Sequence, residues 1–424
     1  MPWKRIWSSL LMMLLLIVFA VGCSSDDTAS SEDEGSGEDT GSEQEETSGE
    51  DAGSSSEPVK IGVLASLSGA LETYGVQTKR GFELGLEYAT DGTMEVAGRK
   101  IEVVFEDTET DPKVARQKAI GLLEDEGVDV LVGSSSSGDT KAVLPIAKQH
   151  EKVMVVEPAV ADSITGADWN KYIFRTARNS SQDAVAGAAA IADEGVEIAT
   201  LAPDSAFGRD GVGAFVNAAK DLGADIVHQE FADATATDFT ANIQKIIEAD
   251  PDYLFVIWAG ANTPWNQISD LKLQEKGIQV STGAPDIAAL KTMKPLVGME
   301  GFTVYYHELP ENEVNDWLVK RHEEEYGEVP DLFTPGGMSA AISIVEALKK
   351  TEGDATADSL IPTMEGMSFD TPKGTMTFRE EDHQALQTLY KITLEEKEGY
   401  DYPVPVLERK LSPEETAPPI QNGQ

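Results

Sequence analysis

Eight consecutive residues, Gly133-Ser134-Ser135-Ser136-Ser137-Gly138-Asp139-Thr140, concentrate the hydroxyls and free backbone groups of this chain in one place. They follow the apolar run 128–132 and have the spacing of a phosphate-binding loop, GxxxxGK[ST], in which backbone N–H groups and a lysine hold phosphate. Asp139 stands where that lysine would be, and its charge would repel phosphate, which argues against nucleotide hydrolysis. A serine-rich turn that opens a helix still offers hydroxyls, N–H groups and the positive end of the helix dipole, a setting suited to a small carboxylate. The plain alternative is a strand-to-helix turn with solvated serines.

Other chemistries lack their residues. A nucleophile elbow needs glycine two positions after its serine, and Ser135 is followed there by Ser137. His150, His228, His307, His322 and His383 are scattered, and none belongs to an H-E-x-x-H pattern, so no metal site is expected. No G-x-G-x-x-G follows a strand, so no dinucleotide is expected, and no other cofactor is indicated. Without a nucleophile–base pair, a binding protein is the leading reading and a secreted α/β enzyme the alternative.

These residues need a scaffold. Short apolar runs at 59–66, 100–106, 128–133 and 152–156 alternate with helical stretches at 75–89, 112–126 and 140–150. A second series has strands at 196–202, 225–231, 253–258 and 278–281, with helices at 181–194, 211–222, 240–249 and 264–276. Near-continuous apolar strands between helices indicate parallel sheets covered on both faces. Two such series imply two doubly wound α/β lobes, with the segment 301–424 shared between them. Ligands of open α/β sheets bind at the carboxyl ends of strands. Six loops fall there: 66–75, 134–137, 157–161, 202–208, 258–262 and 283–286. Three belong to each lobe, so they can face one another across a cleft.

The first 57 residues have a different purpose. Lys4 and Arg5, a short apolar run from 10 to 21 and then Gly22 make an export signal too short to span a bilayer, which takes ~20 residues. Ala20-Val21-Gly22-Cys23 resembles the lipobox of bacterial lipoproteins, which implies cleavage of 1–22 and lipidation of Cys23, the only cysteine. From Ser24 to Glu57 there are 13 acidic residues and no lysine or arginine, a composition expected to stay disordered and act as a tether. The net charge of −42 disfavours nucleic acid and anionic membrane surfaces as partners and suits a soluble monomer outside the cell.

With these features in order, the chain from about Val59 to Leu394 resembles the leucine/isoleucine/valine-binding protein family, the type I substrate-binding proteins of ABC transporters. The resemblance rests on Ser66, Ser68, Gly69, Tyr74 and Gly75, then Asp107 and Asp111-Pro112. The serine loop, Glu157-Pro158-Ala159, Phe174-Arg175-Thr176 and Asp204…Phe207-Gly208 follow. It implies a Venus-flytrap whose lobes are joined by three hinge crossings, placed near 175–178, 304–307 and 376–379. Lobe 1 is then 58–176 with 307–376, lobe 2 is 177–306 with 377–412, and 413–424 is a flexible tail.

The same resemblance implies a pocket. Ser136 and Ser137 match a carboxylate-binding loop, the Ala159 carbonyl an ammonium acceptor and Tyr74 a side-chain wall, with Val160 in the Ala159 loop. Phe207 and Ala261 fall where lobe 2 presents aromatic residues. Asp286 falls near the acidic partner of an ammonium, unless Asp162 takes part. Ala161 and Ala261 depart from the family pattern, replacing a hydroxyl and an aromatic ring. The implied ligand is a branched or otherwise apolar amino acid. An amide, urea, or a small aromatic or organic acid is the alternative, as is sensing without transport. The implied partner is an ABC permease, at the outer face of a bacterial cell membrane.

Overall fold

The computed structural model describes residues 57–233, 235–260 and 262–422. The signal segment 1–22, Cys23, the tether up to residue 56 and Ala261 lie outside the described residues. No helix among the described residues is long and apolar enough to cross a membrane.

The first half-chain gives β1 (Val59–Ala65), α1 (Glu72–Ala89), β2 (Glu95–Val96), β3 (Arg99–Asp107), α2 (Pro112–Glu124), β4 (Val130–Gly133), α3 (Ser137–Gln149), β5 (Val153–Val156) and β6 (Ile173–Arg175). They form a six-stranded sheet in the order β2-β3-β1-β4-β5-β6, parallel except for the β2–β3 hairpin. Successive residues of these strands point to opposite faces. Val59, Ile61 and Val63 join one buried cluster, with Phe82 of α1. Leu64, Leu131 and Met154 join another, with Leu122 of α2 and Val143 of α3. Each such buried side chain contributes roughly 1.5–3 kcal/mol.

The second series gives α4 (Ser180–Ile191), β7 (Glu197–Pro203), α5 (Ala206–Asp221), β8 (Asp225–Ala232), α6 (Thr240–Ala249), β9 (Tyr253–Val256), α7 (Trp265–Asp270), β10 (Gln279–Thr282), α8 (Ile287–Thr292) and β11 (Glu300–Thr303). Its parallel sheet has the order β10-β9-β7-β8. The single helix expected over 264–276 is instead α7 and a short 3-10 turn, because Lys272 between them takes a left-handed φ of 53° that no continuous helix allows.

The remainder gives α9 (Glu313–Tyr326), α10 (Thr334–Lys350), α11 (Ala357–Met364), β12 (Ser368–Thr371), β13 (Gly374–Phe378), β14 (Ala385–Leu386), β15 (Leu389–Glu395) and β16 (Val404–Leu411). Helix α10 crosses α1 closely. A Cβ at Gly81 would stand 1.8 Å from the Thr334 carbonyl oxygen, and one at Gly337 would stand 2.1 Å from that of Thr78. Only glycine permits this approach.

Two expectations need correction. The third crossing is not at 376–379: β13 pairs with β12 and β14, and Met376, Phe378 and Ala385 are buried in the first cluster of lobe 1. The chain crosses after Leu386, where β15 pairs with β11 of lobe 2. The other crossings lie between β6 and α4 and between β11 and α9. Nor is 413–422 a free tail, since Arg379 donates to the Pro418 carbonyl at 2.8 Å and Thr416 is fully buried.

Candidate functional site

A cavity of about 410 Å³ lies where the strand ends of the two lobes meet, and all six loops singled out above contribute to its wall. Lobe 1 supplies Tyr74, Ser135, Ser136, Ser137, Ala159 and Val160, and lobe 2 supplies Phe207, Trp258 and Gly260 among others.

The serine loop is held by its own capping chemistry. Ser136 is the N-cap of α3, and its hydroxyl oxygen accepts the N–H groups of Gly138 and Asp139 at 3.2 and 3.4 Å. The Ser137 hydroxyl oxygen accepts the Ala161 N–H at 3.2 Å. Both oxygens are thus used as acceptors, which leaves both hydroxyl protons to donate toward a carboxylate in the cavity. Ser135 ties the loop to the first strand, accepting the Ser66 N–H at 3.0 Å.

The structure adds a charged pair that the sequence reading missed. Arg178 and Asp183 line the cavity, with the Arg178 Nε donating to Asp183 Oδ1 at 3.1 Å. Arg178 is 8 % exposed and lies over the Phe333 ring, 5.8 Å from its centroid. Burial raises the Asp183 pKa, and the Arg178 charge opposes that rise. Asn179 fixes this segment: it caps α4 reciprocally with Gln182, so Arg178 is presented just outside the helix and Asp183 in its first turn. Ser180 donates from both N–H and hydroxyl to the Val160 carbonyl, at 2.8 and 3.0 Å. Ser137, the 159–161 loop and the Arg178–Asp183 pair therefore form one connected polar wall. The capping pattern Asn179…Gln182 was legible in the sequence and could have drawn attention to the charges on either side of it.

The remaining wall is largely aromatic. Tyr74 and Phe333 lie 4.2 Å apart between ring centroids, and Phe215 stacks on Phe255 at 3.9 Å. Phe302 and Phe207 also line the cavity.

Two expected site residues lie elsewhere. Ala161 is fully buried behind the wall, its carbonyl accepting from Arg175 Nη1 at 2.7 Å. Asp286 is the N-cap of α8, with Oδ1 accepting the Ala289 N–H at 2.7 Å, and it lines an adjoining cavity of about 320 Å³ rather than the main one. Both places follow from backbone demands: the Ala161 N–H and carbonyl are taken by Ser137 and Arg175, and the first turn of α8 needs an acceptor. Asp162 is committed as well, accepting from the Ser181 N–H and hydroxyl at 2.9 and 2.6 Å. Ala261 lies outside the described residues, between the lining residues Gly260 and Asn262.

Comparison with known proteins agrees with this architecture. The family profile described as periplasmic binding protein matches residues 58–399. A Leu/Ile/Val-binding protein homolog from Brucella abortus is 26% identical over 352 residues, covering 79% of this chain and 87% of the relative. A crystal structure of an ABC-type branched-chain amino acid transporter from Rhodopseudomonas palustris superposes with a TM-score of 0.77 at 45% identity, covering 86% of this chain and 100% of that one. A solute-binding protein from the same species, in complex with 3,4-dihydroxybenzoic acid, superposes with a TM-score of 0.74 at 27% identity, covering 84% and 97%.

Proposed function

Because the chain belongs to the periplasmic binding protein family, we propose that it is the extracytoplasmic receptor of an ABC importer. It takes a small apolar α-amino acid between its lobes and delivers it to a membrane permease. The observation that carries this reading is the connected polar wall. Ser136 and Ser137 offer hydroxyl protons to a carboxylate, and the Arg178–Asp183 pair offers both signs of charge to a zwitterion. The aromatic remainder of a 410 Å³ cavity suits an apolar side chain. Asp183 takes the ammonium-pairing role that the sequence suggested for Asp286. The 45% identity to a structure described as a branched-chain amino acid transporter supports the same class.

A second reading, a small aromatic carboxylate, is favoured by the number of rings in the wall and by the position of Asp286 outside the main cavity. A related protein in complex with 3,4-dihydroxybenzoic acid adds weight to it. A thermal-shift screen separates the two, because a ligand stabilises the state that binds it by mass action. Leucine, isoleucine and valine should raise the melting temperature. Benzoate and 4-hydroxybenzoate doing so instead would reverse the choice.

In operation, ligand binding to lobe 1 shifts an open-to-closed equilibrium about the three crossings, and the closed form docks on the permease. Lipidated Cys23 and the acidic tether hold this monomeric receptor near that partner. Catalysis and ATP hydrolysis are not part of its role.

A further inference from the structure

The adjoining cavity of about 320 Å³ is walled by Leu71 and Tyr74 of lobe 1 and by Trp258, Trp265, Asp286 and Met293 of lobe 2. Tyr74 and Gly260 line both cavities, and the Gly260 N–H donates to the Tyr74 phenol oxygen at 3.2 Å where the two spaces adjoin. Ser136, Ser137, Arg178 and Asp183 line only the main one.

The polar atoms of this second wall are of the opposite kind to those of the serine loop. Asp286 is 6 % exposed, and among the described residues it forms no ion pair. Its Oδ1 is spent on the Ala289 N–H, and the carboxylate keeps acceptor capacity beyond that one bond. Thr282 and Thr292 also line the cavity. Their hydroxyls donate to the carbonyls of Val256 and Ala289, both at 2.7 Å. A hydroxyl has one proton, so each of these oxygens is left as an acceptor only. The serine loop offers protons; this wall offers acceptors.

The remaining surface is aromatic and apolar. Trp258 stands edge-on to Phe239 at 4.8 Å, and its indole N–H is spent on the Asn262 carbonyl at 2.6 Å. Trp265 is buried, and so is Met293. A buried carboxylate without a counter-ion is costly, and a bound ammonium supplies one. Indole faces attract the same charge. Burial raises the Asp286 pKa, and no basic side chain opposes the rise.

We propose that the adjoining cavity is a second ligand site, taking a primary alkyl- or arylalkylammonium ion with its nitrogen at Asp286 and its apolar part against Trp258, Trp265 and Met293. This cation is not the α-ammonium of the main ligand, which is assigned to Asp183. The site goes beyond the receptor reading and does not rest on it.

Calorimetric titration of 2-phenylethylammonium chloride into the full chain at pH 7, with no amino acid present, tests this. One saturable site per chain is expected. The alcohol 2-phenylethanol keeps the ring and loses the charge, and it should bind about tenfold more weakly or worse. Asp286→Asn and Asp286→Ser both keep a helix-capping side chain, and each should weaken the ammonium by about tenfold or more, the worth of a hydrogen bond to a charged group. Asp183→Asn should leave the ammonium affinity unchanged. Melting curves of the unliganded variants report whether each is folded. No saturable binding to the wild type overturns the site, and so does undiminished binding to a folded Asp286 variant. Loss of binding in folded Asp183→Asn, with or without loss in the Asp286 variants, puts the cation in the main cavity and overturns it as well. Binding that depends on Asp286 while leucine, isoleucine and valine give no heat supports the second site and counts only against the ligand class assigned to the main cavity.

Discussion

Tyr74 and Gly260 meet across the cleft, one from each lobe, with the Gly260 N–H donating to the Tyr74 phenol oxygen at 3.2 Å. Burial, reinforced by the Asp286 charge, pushes the phenol pKa up and keeps it neutral. Gly260 has a φ of +90°, and a Cβ there would stand 2.9 Å from the Ala70 carbonyl oxygen of lobe 1. The Gly260→Ala side chain therefore obstructs closing, and ligand affinity should fall tenfold or more by calorimetry. Tyr74→Phe removes only the hydrogen bond and should cost about 0.5–1.5 kcal/mol of affinity.

The serine loop predicts a graded loss. Ser136→Ala removes a helix cap as well as the proposed ligand donor, so it should lower stability by about 1 kcal/mol and also weaken binding. Ser137→Ala leaves the cap in place. It should weaken binding by about 1.5–3 kcal/mol, the worth of a hydrogen bond to a charged group. Chemical denaturation beside a ligand titration separates the two effects.

On the proposed function, the Arg178–Asp183 pair decides ligand class. Asp183→Asn should abolish amino-acid binding, because it removes the negative partner of the ammonium and leaves Arg178 unpaired in a buried wall. The same variant should tolerate or improve binding of simple carboxylates such as benzoate. Competition binding with leucine and benzoate reads both outcomes.

Asp139 gives a prediction about stability. It is fully buried between Thr108 and Ser136, with neither carboxylate oxygen in a well-formed hydrogen bond, and burial raises its pKa to about 6. A carboxyl raised on folding costs nothing below its unfolded pKa and progressively more as pH rises to the folded value. Asp139→Asn should therefore stabilise the chain by roughly 2–3 kcal/mol more at pH 8 than at pH 4, measured by urea unfolding at both values.

The proposed lipid anchor is tested on the chain itself. Cys23→Ser should abolish incorporation of labelled fatty acid and release the protein from membranes into the soluble fraction. Retention of the label on Cys23→Ser would remove the anchor assignment.

The sequence made the scaffold legible because parallel strands buried on both faces leave near-continuous apolar runs such as 59–65 and 128–133, and because punctuating glycines end the helices. It placed the serine loop for the same reason, since Ser136 is both a cap and a wall residue. Short strands were harder. Ile173–Arg175 is three residues long, and Gly374–Phe378 alternates in a way that fits either lobe, so the pattern puts the third crossing earlier than the fold does. Arg178 and Asp183 carry no signal in the sequence because a charge beside a helix start ordinarily faces water. Only the fold turns that stretch toward the cavity. Asp286 is the opposite case: an aspartate at a helix start satisfies the helix first, and it lines the adjoining cavity.

The most direct measurement is a calorimetric titration of leucine, isoleucine and valine, beside 4-hydroxybenzoate, into the wild-type chain. At least one of the three amino acids should bind saturably at one site per chain, and the binding should be lost in Asp183→Asn. Binding of 4-hydroxybenzoate with no heat from any of the amino acids would contradict the proposal.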